Sequence, residues 1–273
     1  MIDLAFAEDI GEGDHTTLCC IPEDAVGKSH LLIKEDGILA GIEVAKRIFN
    51  KFDPTLSVEV LIQDGTPVKV SDVAMIVTGK VRSLLQTERL MLNVMQRMSG
   101  IATMTHHYVE LLKGTNTHVL DTRKTTPGMR ILEKQAVKIG GGMNHRIGLF
   151  DMILLKDNHI DFAGGIANAI NRCHKYLEEK SLKLKIEIEV RNFDELQQVL
   201  NIGGVNRIML DNFTVPDTKR AVEMIAHRYE TESSGGITEQ TIRSYAECGV
   251  DFISVGALTH SVRCLDMSFK ACW

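Results

Sequence analysis

DMILLKDNHIDFAGGIANAINRCHKYLEEKSLKLKIEIEVRNFDELQQVLNIGGVNRIMLDN, residues 151–212, is the stretch whose rhythm decides the fold class. Its short apolar runs (DMILLKDNH, LKIEIEVRN, RIMLDN) read as strands, and the segments between them (IANAINRCHKYLEEK, DELQQVLNIGG) carry helical spacing. The alternation extends outward in both directions. Upstream, THVLDTRKT is a strand leading to a loop and MRILEKQAVKIGG is helical; downstream come the helix TVPDTKRAVEMIAHRYE, the loop ESSGGIT, the helix EQTIRSYAECG and the strand DFISVGA. Repeated strand-then-helix units predict parallel strands with right-handed crossovers, hence an α/β barrel or a doubly wound sheet.

One regularity separates the two. Strand after strand ends in polar residues: Asp121-Thr122-Arg123-Lys124, Lys156-Asp157-Asn158-His159, Glu187 with Glu189, and Asp211-Asn212. A barrel gathers every strand C-terminus around one centre, whereas an open sheet concentrates its site at a single switch point. So many loaded ends favour the barrel. Before it, from about Ser29 to Leu84, strand-like runs are punctuated by Asp36-Gly37 and Asp64-Gly65, both hairpin dipeptides, with the helix IEVAKRIFNKF between them. That is the pattern of a small α+β layer domain. A long helical stretch, SLLQTERLMLNVMQRMSGIATMTHHYVELLKG, follows and is apolar all round in places, as expected of burial between layers or at a subunit contact.

Composition narrows the function. With 44% hydrophobic and 25% charged residues the chain has the balance of a soluble globular protein. A formal charge of -5 argues against nucleic-acid or anionic-membrane binding, since phosphate backbones attract positive surfaces. No apolar run is long enough to span a bilayer, and MIDLAFAEDIGEGDHTT has no basic and apolar signal regions. The six cysteines show no CxxC spacing, so reduced thiols and a cytoplasmic location are expected, with neither a zinc site nor a disulfide framework.

Three groups of residues offer chemistry. Arg123, Lys124, His145, Arg146 and Lys156 come from the ends of successive β/α units, so in a barrel they converge on one anionic ligand. Lys134 and Lys138, on an outer helix, read instead as solvated charges. Glu187 and Glu189 share one strand face, and Asp211 ends the next strand. Carboxylates there need cations or a metal: Glu189 and Asp211 suit Mg²⁺ binding or stabilisation of a cationic transition state, while Glu187 reads equally as a structural ion-pair partner. Ser233, Ser234, Gly235 and Gly236, placed just before a helix, and Gly256 before another, suit a phosphate cradle. His106 and His107 read as surface or packing residues.

EDIGEGDHTT, TERLMLNVMQRMSGIAT, DTRKTTPGMR, KIGGGMNHRIGLFDMILLKDNH, EIEV, MLDNF, ESSGGIT and GVDFISVGALTHS together resemble the quinolinate phosphoribosyltransferases, almost end to end. The resemblance implies an α/β protein: an N-terminal α/β sandwich domain over residues 1–100, to which 262–273 return, and an α/β barrel of fewer than eight strands over 101–261. It implies that Thr122, Arg123, His145, Arg146 and Lys156 bind the dicarboxylate quinolinate, with Arg89 supplied from a neighbouring subunit of a homodimer or a hexamer. Lys124, Glu189 and Asp211 match residues around the reacting centre, Glu189 and Asp211 also its Mg²⁺. Ser234, Gly235, Gly236 and Gly256 match the cradle for 5-phosphoribosyl 1-pyrophosphate. One departure stands out: the strand before ESSGG, usually apolar, reads YETE here (Tyr229 to Glu232). Two other readings remain, a nicotinate phosphoribosyltransferase and a non-catalytic phosphate-binding barrel.

Overall fold

A computed structural model describes residues 1–272, arranged as two compact units. The first holds residues 1–106, 125–141 and the C-terminal stretch from Leu258; the second holds 107–124 and 142–257. In chain order the elements up to the long helix are α1 (Ile2–Ile10), α2 (His15–Cys20), β1 (Val26–Ile33), β2 (Gly37–Ile38), α3 (Ile42–Phe52), β3 (Ser57–Val60), β4 (Pro67–Val68), β5 (Val73–Lys80) and α4 (Val81–Leu111). Next come β6 (His118–Leu120), α5 (Arg130–Ile139), β7 (Ile153–Leu155), α6 (Asp157–Ala163), α7 (Ile166–Glu179), β8 (Ile186–Val190) and α8 (Phe193–Ile202). The chain ends with β9 (Arg207–Asp211), α9 (Val215–Ile225), β10 (Glu230–Ser234), α10 (Ile242–Ala246), β11 (Phe252–Ser254), α11 (Ala257–His260) and β12 (Met267–Cys272).

The first unit is built on an antiparallel sheet in the order β12-β1-β5-β3. β12 is the returning C-terminal segment, paired along β1 from Met267 to Cys272; Trp273 lies outside the described residues. Ile48 and Phe49 of α3 are fully buried, and the Phe49 ring meets Phe269 of β12. The two Asp-Gly dipeptides do not make the expected hairpins, because β2 pairs with β4 and not with β1. Their aspartates are engaged elsewhere: Asp64 accepts the Ile42 N–H at the start of α3, and Asp36 accepts the Val70 N–H. Met91, Met95, Met98 and Ile101 of α4 are buried within this chain, so the apolarity of that helix needs no subunit contact to explain it. α5 belongs to this unit too, since Glu133 takes Nε and Nη2 of Arg97 at 2.8 and 2.7 Å. The next residue, Lys134, is only 3% exposed and so is no solvated charge, whereas Lys138 is exposed as expected.

The second unit is a sheet of six parallel strands in the order β6-β11-β10-β9-β8-β7. The segment between the two end strands helps to close it: Met143 bridges Leu120 of β6, and His145 reaches side chains of β8 and β10. Six strands fit the expected barrel of fewer than eight. Parallel registers place paired residues on one face, which splits each strand between two environments. Ile186, Ile188, Val190, Ile208 and Leu210 form one apolar cluster with Leu196 and Val199 of α8 and Ala221 and Ile225 of α9. The opposite face is polar. Glu187, Arg207 and Glu230 make one rung across β8, β9 and β10, Glu189, Met209 and Glu232 the next, and Asp211 with Ser234 the last.

This arrangement explains β10. A strand reading ETESS looks too polar for a parallel sheet, yet it pairs with β9 over all five residues. Arg207 makes it possible by holding Glu230 at 3.1 Å and Glu232 at 3.1 Å while its guanidinium stacks 3.9 Å from the Phe252 ring centre. The helices are set by local caps, among them the Asn192 side chain on the Glu195 N–H at α8 and Thr214 with Pro216 at the start of α9.

Candidate active site

Except for Arg89, which lies exposed on α4 in the first unit, all the expected site residues fall in the second unit, His145 and Arg146 in the segment that precedes β7 and the others on or beyond strand C-termini. After β6, Asp121 is fully buried and anchors the neighbouring loop: it accepts the His145 N–H at 2.9 Å and the Asn144 amide at 2.6 Å. Thr122 turns the chain, its hydroxyl accepting the Lys124 N–H, and leaves Lys124 exposed. Arg123 and Arg146 are held close enough that the charge of Arg123, together with burial, lowers the pKa of Arg146 from its ordinary value; burial is the larger cause. Arg146 Nη1 donates to the Met152 carbonyl at 3.2 Å. Two crowded guanidiniums form a seat for an anion with more than one oxygen pair.

The carboxylates follow. Glu189, buried near the end of β8, lies 3.8 Å from Lys156 Nζ. Burial raises its pKa, the charge of Asp211 adds to the rise, and Lys156 opposes it. Asp211 is half-buried and accepts from Ser234 Oγ at 2.9 Å and from Asn212 Nδ2 at 2.7 Å. A divalent cation would relieve the mutual repulsion of Glu189 and Asp211, and Mg²⁺ commonly binds through one or two carboxylates plus substrate phosphates. The oxygen donors fit that ion.

The glycine loop differs from its expected setting. α10 begins only at Ile242, so no helix N-terminus stands directly behind Gly236. The loop is shaped by backbone: Gly235 has φ +93°, and a Cβ there would meet Asn212 Oδ1 at 2.2 Å. Only glycine lets this turn lie against Asn212. Gly256, in contrast, immediately precedes α11 as expected.

Beneath the rim lies a cluster that the sequence reading did not assemble. His145 Nε2 is 3.0 Å from Glu187 Oε2 and 3.6 Å from Glu232 Oε2, and both glutamates are 0% exposed. Burial pushes Glu187 up to about 7, against the opposing charge of Arg207. Burial and the neighbouring Glu187 push Glu232 up to about 8. Glu187 thus takes the structural ion-pair role. The signal for Glu232 and Arg207 was present as acids two apart in ETE beside an arginine-led strand.

Comparison with known proteins agrees with this architecture along the whole chain. Quinolinate phosphoribosyl transferase, C-terminal domain, matches residues 101–270, and the N-terminal domain of the same family matches 14–99. The chain belongs to the quinolinate phosphoribosyltransferase family. It is 45% identical over 285 residues to the chloroplastic nicotinate-nucleotide pyrophosphorylase [carboxylating] of Arabidopsis thaliana, covering 99% of this chain and 81% of that one. With a probable nicotinate-nucleotide pyrophosphorylase [carboxylating] of Synechocystis it shares 40% identity over 97% of this chain and 89% of the other. Among solved structures, NadC from Streptococcus pyogenes superposes with a TM-score of 0.93 at 38% identity, covering 100% of this chain and 96% of that one. Among the described residues no helix is long and apolar enough to cross a membrane.

Proposed function

We propose that this chain transfers the phosphoribosyl group of 5-phosphoribosyl 1-pyrophosphate to quinolinate, releasing pyrophosphate and CO₂ and forming nicotinate mononucleotide. Family membership supports the reaction. The observation that carries the choice of substrate is the closeness of Arg123 to Arg146, whose pKa is lowered by burial and then by the charge of Arg123, a crowding of cations that a multiply anionic ligand would offset. A single carboxylate, as in nicotinate, would leave part of that repulsion unrelieved. A pure phosphate binder would gain nothing from Glu189 and Asp211.

In this reading Arg123, His145, Arg146, Thr122 and Lys156 orient the two carboxylates so that the ring nitrogen faces the sugar C1. Ser234, Gly235, Gly236 and Gly256 receive the 5-phosphate. Pyrophosphate departs with the C1–O bonding pair, and Glu189 and Asp211 stabilise the positive charge that develops at C1. Lys124, exposed in the turn after β6, would neutralise anionic oxygens. Mg²⁺ bound through Glu189, Asp211 and phosphate oxygens would supply further neutralisation of the departing group. The nitrogen lone pair forms the new bond to C1. The resulting pyridinium accepts the electron pair left when the adjacent carboxylate leaves as CO₂, and a proton then restores the ring.

Incubation with Mg²⁺, phosphoribosyl pyrophosphate and quinolinate labelled in its 2-carboxylate tests the reading. Labelled CO₂ and nicotinate mononucleotide are expected in equal amounts. Turnover with nicotinate alone would transfer the reading to the monocarboxylate enzyme, and silence with both would leave a phosphate-binding barrel. The assembly is read as a homodimer or larger with Arg89 completing a neighbour's site. Exposure of Arg89 on α4 supports this, and mixing an Arg89→Ala chain with a Lys124→Ala chain tests it, since shared sites would restore part of the activity. A cytoplasmic location is supported by six free cysteines, to be checked by fractionation.

A further inference from the structure

Asp211 and the glycine loop beyond β10 serve one substrate in the reaction proposed above, yet they belong to different β/α units. Asn212 is the side chain that spans them. It directly follows Asp211 and holds a left-handed backbone, φ +56°. Among residues with a Cβ, asparagine is one of the few that adopt this conformation readily. Its N–H donates to the Ser234 carbonyl at 2.9 Å, one step past the last rung of β9 and β10, where Asp211 pairs with Ser234.

The amide has one orientation. Nδ2 donates to Asp211 Oδ2 at 2.7 Å, while Ser234 Oγ donates to Asp211 Oδ1 at 2.9 Å, so the carboxylate is gripped from both sides. A carboxylate accepts and does not donate, which requires the amide nitrogen to face Asp211 and sends the Asn212 Oδ1 the other way. There it meets the glycine loop. A Cβ on Gly235 would lie 2.2 Å from Asn212 Oδ1, 2.6 Å from Cγ and 3.0 Å from the backbone nitrogen. The loop, left-handed at Gly235 and Gly236 (φ +93° and +60°), thus rests on the side chain and the backbone of this residue.

We propose that Asn212 is a positioning residue for phosphoribosyl pyrophosphate: its amide nitrogen fixes the plane of the Asp211 carboxylate, and its carbonyl end fixes the loop that receives the 5-phosphate. The inference rests on the proposed reaction. The sugar ring sets the span between C1 and the 5-phosphate, so the groups that meet its two ends must be held at a matching separation. A residue that touches both sets that separation before the ligand arrives. Its bonds run between β9 and β10, whereas the quinolinate residues lie after β6 and on either side of β7, so the effect of Asn212 belongs to one substrate.

The test uses the full chain with Asn212→Gly, which keeps the left-handed backbone and removes the amide, and Asn212→Ala, which removes the amide and strains the backbone. Initial rates at saturating Mg²⁺ are measured over both substrates, and binding of phosphoribosyl pyrophosphate is followed by calorimetry. Asn212→Gly is expected to raise both KM and Kd for phosphoribosyl pyrophosphate about tenfold or more, the equivalent of one hydrogen bond to a charged group. The quinolinate KM and the urea midpoint stay at their wild-type values. The extra rise caused by Gly235→Ala is smaller in the Asn212→Gly background than in wild type, because Oδ1 and Cγ no longer oppose the new Cβ. A defect confined to Asn212→Ala assigns the position to backbone alone and overturns the proposal. A rise in both KM values together, or a lowered urea midpoint without the split, marks a structural role and overturns it as well. Should Asn212→Gly fail to fold, the side-chain amide resonances of Asn212 in the wild-type chain decide: a shift with phosphoribosyl pyrophosphate and none with quinolinate supports the proposal, and any other pattern overturns it. A wild type that neither turns over nor binds phosphoribosyl pyrophosphate refutes the functional reading and this inference with it, whereas normal wild-type turnover beside unaltered variants refutes the inference alone.

Discussion

Glu187 and Glu189 lie two residues apart on the same face of β8, yet they meet opposite conditions. Glu187 has no exposed surface and faces His145, with Glu232 and Arg207 beyond. Glu189, one rung closer to the strand end, meets Lys156, whose side chain is 47% exposed, and feels the charge of Asp211. Glu187 and Arg207 of the lower rung, with Glu232 reaching them from the next rung on β10, form a closed buried set; Glu189 with Lys156 and Asp211 forms an open set toward the strand ends whose repulsions await a ligand. Depth along one strand, about 7 Å for two residues, separates a carboxyl that holds structure from one that meets substrate.

The comparison breaks most sharply at Arg207. Arg207→Met leaves the buried Glu232 without its guanidinium, while Glu230 keeps Lys185 at 3.3 Å, and losing one partner of a buried pair costs about 3–5 kcal/mol. Urea unfolding of the variant is expected to show that loss, and a second change, Glu232→Gln, to restore part of it. If Arg207→Met is as stable as wild type, the buried set is not closed as described. In the open set Glu189→Gln reverses the pattern: kcat falls by roughly 10²–10³-fold, as on removing one electrostatic stabiliser. Stability holds or rises slightly because the repulsion from Asp211 is gone. A smaller effect is expected at the loop beyond β10. Gly235→Ala would carry a Cβ 2.2 Å from Asn212 Oδ1 at a φ of +93°, strain of about 1–3 kcal/mol. The KM for phosphoribosyl pyrophosphate should rise more than that for quinolinate. Equal rises would move the phosphate cradle elsewhere.

The open set was legible in the sequence, whereas of the buried set only Glu187 was, read as an ion-pair partner, and its partners on β9 and β10 were not, for a physical reason. Groups at strand ends announce themselves because polar residues interrupt apolar runs, as Lys156 and Asp211 do. The inner face of β10 gives no such contrast, since ETESS is polar throughout and its burial depends on Arg207, 23 residues earlier in the chain. The Asp-Gly turns failed for the related reason that strand partners are nonlocal: β1 pairs with β5 and with the C-terminal β12, which no dipeptide encodes. Lys134 shows the converse error, a helix charge taken as solvated from its local pattern and found buried.

The finest probe of the two sets is the dependence of stability on pH. An unfolded glutamate releases its proton near 4.5, whereas folded Glu232 retains one up to about 8 because burial and Glu187 disfavour its charge. Between those values the folded state binds more protons than the unfolded, so this group's contribution is complete below about 4.5 and is lost as the pH rises through about 8. For one proton the slope is at most about 1.4 kcal/mol per pH unit, and sharing between Glu187 and Glu232 makes it shallower at each. Unfolding free energies measured from pH 5 to 8 should therefore decline for wild type and decline less for Glu232→Gln, which has no proton to lose. The same series on Glu189→Gln should also decline less than wild type but by a smaller margin, since burial raises the Glu189 pKa while Lys156 opposes the rise. Parallel lines for wild type and Glu232→Gln would mean that the buried set stays ionised in the folded protein, and the distinction between it and the open set would then rest on position alone.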